Sequence, residues 1–208
     1  MKRNVGIATF MCLLAVCASV FAASTANVSV TAIVPSSLDL TATIRSAPPG
    51  GDPFGPGSAD AASINFGTLT FDTTNHIWVA DKYFTVFLIA STSGRAYTLQ
   101  QTNNGVVATG GGDLNTNLIM TPDYQTNDQL AGVPQGLMPA GDSLGARTLS
   151  FGTNKVIYNG NSGLSRIARA YFGLATGEPG EPTGALPITT NKPSGTYNGT
   201  VTFSVVLK

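Results

Sequence analysis

The chain has 208 residues, only 11% of them charged, with 11 lysines and arginines against 11 aspartates and glutamates. Soluble domains usually carry about 25% charged residues, and a nucleic-acid binder needs clustered cations for phosphate contact. The composition therefore argues against nucleic acid and against electrostatic attachment to a membrane, while low charge gives little protection against self-association.

Lys2 and Arg3 precede an apolar run from about Val5 to Val20, and Val20-Phe21-Ala22 offers small enough residues at a cleavage site. Residues 1–22 read as a secretory signal peptide. The run is short for a bilayer span and no stop-transfer charge follows it, so no membrane span is expected after cleavage. Valine before Cys17 argues against a lipidated cysteine. Both cysteines, Cys12 and Cys17, leave with the signal, so the mature protein has no thiol although it enters a disulfide-permissive space. The remaining length is enough to bury one core in one domain.

The first mature stretch, STANVSVTAIVP at 24–35, alternates. Val28, Val30, Ala32 and Val34 point one way, and Ser29, Thr31 and Ile33 the other, the period of a strand with one buried face. We read residues 23–35 as an N-terminal strand of donor type and residues 36–208 as one β-sandwich domain. Gly and Pro together interrupt almost every longer window, and β-branched and aromatic runs lie between them. The pattern predicts strands at 27–34, 37–44, 62–71, 82–90, 96–102, 116–121, 147–151, 155–158, 166–174 and 196–207. Helix signals are nearly absent. YFTVFLIA at 83–90 is apolar on both faces, as a central strand would be. In TYNGTVTFSVVL at 196–207, Tyr197, Val201, Phe203, Val205 and Leu207 share one face and polar residues the other. APPGGDPFGPG at 47–57 and GEPGEP at 177–182 read as loops, and NNG at 103–105 as a tight turn. Many short strands with frequent turns predict an all-β fold, a single immunoglobulin-like antiparallel sandwich.

No motif supports an enzyme. GDSLG at 141–145 spells the signature of a lipase and esterase family, but a serine nucleophile needs a base within hydrogen-bond reach. The one histidine, His76, lies far upstream, so Ser143 is read as part of a loop. GGGD at 110–113 lacks the lysine and following helix of a phosphate-binding loop. The aspartates are scattered, and no cofactor or metal is expected. Asp52 and Asp60 are the pair that loop convergence could bring to a calcium ion. His76, Trp78 and Tyr83 form an aromatic and polar group in sequence, and Trp78 is read as packing between strands rather than as a sugar platform.

The segment NVSVTAIVPSSLDL resembles the mature start of major subunits of colonisation-factor-type chaperone–usher fimbriae. The matching residues are Asn27, Val28, Ser29, Val30, Thr31, Ala32, Val34, Pro35, Leu38, Asp39 and Leu40. SGTYNGTVTFSVVL resembles the last strand of that family. The resemblance covers about 14 residues at each end. It implies a pilin-like surface protein that polymerises through its N-terminal strand, handled by a periplasmic chaperone and an outer-membrane usher. The periplasm and then the cell surface of a bacterium would be its location, with adhesion or surface coating as its role. The alternative is a self-contained secreted or envelope sandwich, a binding or matrix module, in which 27–34 pairs with 196–207 of the same chain.

Overall fold

The computed structural model describes residues 38–128, 130 and 135–208. The signal segment and the strand read at 23–35, with Val28, Val30, Ala32 and Val34, lie outside the described residues. These contain no helix. In chain order the strands are β1 (Asp39–Ala47), β2 (Ala59–Ala61), β3 (Thr70–Asp72), β4 (Ile77–Val79), β5 (Tyr83–Ser91), β6 (Tyr97–Ala108) and β7 (Leu118–Asp123). They continue with β8 (Ser143–Leu144), β9 (Thr148–Leu149), β10 (Gly152–Gly160), β11 (Ile167–Leu174), β12 (Ile188–Thr189) and β13 (Tyr197–Leu207).

Two antiparallel sheets form sandwich-like layers. The larger has the order β2-β1-β5-β11-β7-β9, and the smaller β13-β6-β10-β8. A further sheet of order β12-β4-β3 is also present; the sequence reading did not expect it. The core lies between the two main layers. Phe84, Val86, Leu88 and Ala90 come from β5, Ala168, Ala170 and Phe172 from β11, and Tyr97 and Leu99 from β6. Alternation explains the choice, since residues two apart share a face. β5 sits between β1 and β11, and its other face, with Thr85 and Phe87, is also buried. This is why YFTVFLIA is almost wholly apolar.

Several expectations need correction. The strand read over 62–71 is interrupted, because Asn65 accepts a hydrogen bond from the Gly67 amide at 2.9 Å in an Asx turn. Only its last residues enter a strand, β3, and β2 ends just before its start, while Ile64 and Phe66 still pack on the core. The NNG stretch is not a turn but the interior of β6. Gly105 takes a φ of 128°, and the pairing with β13 shifts register between Gly199 and Val201, a β-bulge. A Cβ on Gly199 would lie 2.4 Å from the Gly105 carbonyl oxygen, so the bulge brings two backbones together where only glycine fits. The chain turns after Ala108 instead, where GGGD supplies the Gly111 amide to the Ala108 carbonyl at 3.0 Å.

GDSLG is likewise not a plain loop. Ser143–Leu144 forms β8 and pairs with β10. Gly145 donates its amide to Ile157 at 2.9 Å, and a Cβ there would meet the Val156 carbonyl oxygen at 1.8 Å. Asp142 accepts from the Tyr158 hydroxyl at 2.6 Å and from the Ser162 amide at 2.7 Å. The motif thus fastens an edge strand to its neighbour.

Candidate functional site

The candidate site is the free edge of β13, which ends the smaller sheet, together with the part of β1 that β2 leaves uncovered. β10, next to the opposite edge strand β8, packs on β7 and β11. Across the core, Phe203 of β13 meets Phe172 of β11 edge to face. β13 pairs with β6 from Leu207–Tyr97 to Tyr197–Ala108, and no strand among the described residues pairs with its other side. β2 covers β1 only at Ile44–Ser46, which leaves the outer edge from Asp39 to Thr43 without a strand partner among the described residues.

The side chains show the consequence. Val201, Phe203, Val205 and Leu207 pack against the buried cluster, yet each remains only half-buried. Leu40 of β1 has the same intermediate burial, while Asp39, Thr41, Ala42 and Thr43 are exposed. Tyr197, also half-buried, donates its hydroxyl to the Pro193 carbonyl at 2.5 Å at the far end of the strand. The seam along β13 therefore combines a free backbone edge, which can accept a further strand, with a row of partly wet apolar groups on the same strand.

The other residues singled out from sequence are dispersed. Ser143 Oγ accepts a hydrogen bond from Asn159 Nδ2 at 3.3 Å on β8. His76 lies in the turn before β4 with a φ of 56°, and its ring is 6.5 Å from that of Phe71. Trp78 packs on Phe71 at 5.1 Å and sits opposite Ile188 of β12. Tyr83 belongs to the larger sheet, where it donates to the Gly51 carbonyl at 2.6 Å and its ring lies 5.7 Å from that of Tyr171. Asp60 is engaged by Arg45 at 2.5 Å, and Asp52 accepts the Phe54 amide at 2.7 Å.

A polar constellation that sequence reasoning missed lies on the outer face of the larger sheet. Arg169 of β11 forms a two-pronged ion pair with Asp128, both side chains nearly fully buried. Its Nη1 donates to the Tyr171 hydroxyl at 2.7 Å, and Tyr171 donates to Asp123 at 3.3 Å. Burial opposes the charge of Arg169, but the hydrogen bonds to Asp128 and Tyr171 more than offset it and raise its pKa. Burial pushes the Tyr171 phenol up, although Arg169 opposes that. Asp128 and Arg169 are 41 residues apart, and no local pattern links them.

No family model matches this sequence. No curated protein matches it either.

Proposed function

We propose that this protein is the structural subunit of a bacterial surface fibre, an immunoglobulin-like pilin assembled by donor-strand exchange and serving adhesion or surface coating. The observation that carries this reading is the half-buried row Val201, Phe203, Val205 and Leu207 on an edge strand whose outer side has no strand partner among the described residues. The N-terminal stretch of a second copy has the complementary pattern. Main-chain hydrogen bonds would supply pairing, while Val28, Val30, Ala32 and Val34 fill the seam from alternate positions. Each buried valine contributes about 1.5–3 kcal/mol and Ala32 less. A periplasmic chaperone and an outer-membrane usher fit the same chemistry, because an unfilled edge invites aggregation until it is covered.

The second reading is a self-contained secreted sandwich whose own residues 27–34 fill the seam. The short Pro35-Ser36-Ser37-Leu38 connection before β1 favours it, since a corner there would return the strand to its own domain. Val30→Asp separates the two. A carboxylate entering an apolar seam costs several kcal/mol. In the exchange reading the variant is folded by circular dichroism and elutes as a monomer, while the wild type forms larger species. An unfolded variant, or a wild type that remains monomeric at high concentration, contradicts exchange.

A further inference from the structure

The outer face of the larger sheet carries a cleft of about 450 Å³ whose lining includes Asp52, Phe54, Gln125, Asn127, Arg169 and Tyr171. Its size falls within the usual range of small-molecule sites, about 300–1,000 Å³. Arg169 and Tyr171 point away from the core because Ala168, Ala170 and Phe172 take the inner positions of β11. The proline- and glycine-rich loop supplies one wall, and its Phe54 ring leans on Phe87 at 5.1 Å while remaining 46% exposed. The floor is the buried Arg169–Asp128 pair. Such a pair adds little stability over apolar packing of the same volume, so stability alone does not explain its place here.

Charge and hydrogen-bond capacity narrow the ligand. Arg169 directs Nε and Nη2 to Asp128 and Nη1 to Tyr171. Arg45, beneath the same loop, gives Nε to the Pro53 carbonyl at 2.7 Å and Nη1 to Asp60. All three nitrogens of Arg169 are thus engaged, Arg45 does not line the cleft, and an anion would meet the carboxylate of Asp52. A cation is disfavoured too, since the Phe54 ring already faces Arg45 at 4.9 Å and Arg169 at 5.9 Å, and like charges crowd there. What remains suits a neutral molecule with many hydroxyls. Gln125 spends its Nε2 on Asp123 at 2.7 Å, which leaves its carbonyl oxygen. Asp52 uses one oxygen on the Phe54 amide and keeps the other. The Asn127 amide is exposed and makes no side-chain hydrogen bond among the described residues. These donors and acceptors match hydroxyl groups, which both give and accept, and the open part of the Phe54 ring matches an apolar C–H face.

We infer that this cleft binds a neutral saccharide unit. One chain forms it alone, so the inference does not rest on the assembly reading. The test is binding of the purified protein to an array of neutral oligosaccharides built from hexose, deoxyhexose and N-acetylhexosamine units, beside their sialylated and sulfated forms. Wild type should retain at least one neutral group, and Asn127→Ala should weaken that binding at least tenfold with an unchanged melting temperature. Phe54→Ala should weaken it at least as much. No binding to the array, binding to charged forms only, or binding that Asn127→Ala leaves intact would each overturn the proposal.

Discussion

Strands β11 and β13 both turn an apolar row toward the same core, and the two rows touch, Phe172 meeting Phe203 edge to face at 6.1 Å. The row on β11, Ala168, Ala170 and Phe172, is wholly buried, whereas the row on β13 is partly exposed to water. Alternation is alike in both. What differs is company: β11 lies between β5 and β7, and β13 has only β6 beside it among the described residues. An alternating pattern states which face is inward, but sealing that face takes a neighbour on both sides. The contrast is what makes the seam, and not the interior, the place where another strand can add stability.

The sharpest way to test that contrast is to remove matched rings. Phe172→Ala should cost about 3–5 kcal/mol of unfolding free energy in urea, as fully buried aromatics do. Phe203→Ala should cost the isolated subunit less, about 1.5–3 kcal/mol, yet reduce assembly more than Phe172→Ala does at equal fraction folded. Equal costs for the two rings would mean the seam is as closed as the interior.

A second pair of changes compares a sealed ion pair with an open one. Asp128→Ala leaves the Arg169 charge buried without its partner and should destabilise by about 3–5 kcal/mol. Asp60→Asn, at a pair whose aspartate is 81% exposed, should change stability by about 0–1 kcal/mol. Thermal melts of both variants beside the wild type measure this.

The buried tyrosines of β6 and β10 give a smaller, pH-dependent effect. Tyr97 and Tyr158 are fully buried with ring centroids 6.2 Å apart. Burial, with Asp142 adding to it, pushes the Tyr97 phenol up to about 12, and burial and the hydrogen bond to Asp142 raise the Tyr158 phenol as well. Folding therefore favours the neutral phenols. Their contribution is complete below the ordinary tyrosine value of about 10 and is lost as pH rises from there through about 12 for Tyr97. The urea midpoint should fall across that window, and Tyr97→Phe should flatten the fall. A midpoint that rises on alkalinisation would contradict the burial of these rings.

Where pattern and topology agree, the fold was legible. YFTVFLIA announced the central strand because neighbours on both sides, the smaller sheet on one face and the Phe54 loop on the other leave β5 little contact with water. TYNGTVTFSVVL announced β13 because one of its faces stays wet. Illegible features depend on distant partners. Asn-Gly usually signals a turn, but Gly105 bends β6 into a bulge opposite Gly199, 94 positions later in the chain. Ile188–Thr189 is too short to show a period and becomes a strand only by lying against Trp78 and Ile77. Asp128 looked like one scattered aspartate, and the tertiary fold alone brings it to Arg169. The apolar row of the candidate seam was readable in sequence, but its openness was not, because openness is a property of the sheet order.

The central claim is that the seam is filled by another copy. The mature chain read from the sequence has no cysteine, which makes disulfide trapping clean. Val30→Cys would be combined in one chain, in turn, with Val201→Cys, Phe203→Cys or Val205→Cys, since side chains facing each other across paired strands lie about 4.5–5.5 Å apart. Refolding, oxidation and a non-reducing gel follow. We predict a covalent ladder of chains for at least one pairing, collapsing to monomer on reduction. A covalently closed monomer, with no ladder in any pairing, would contradict the account.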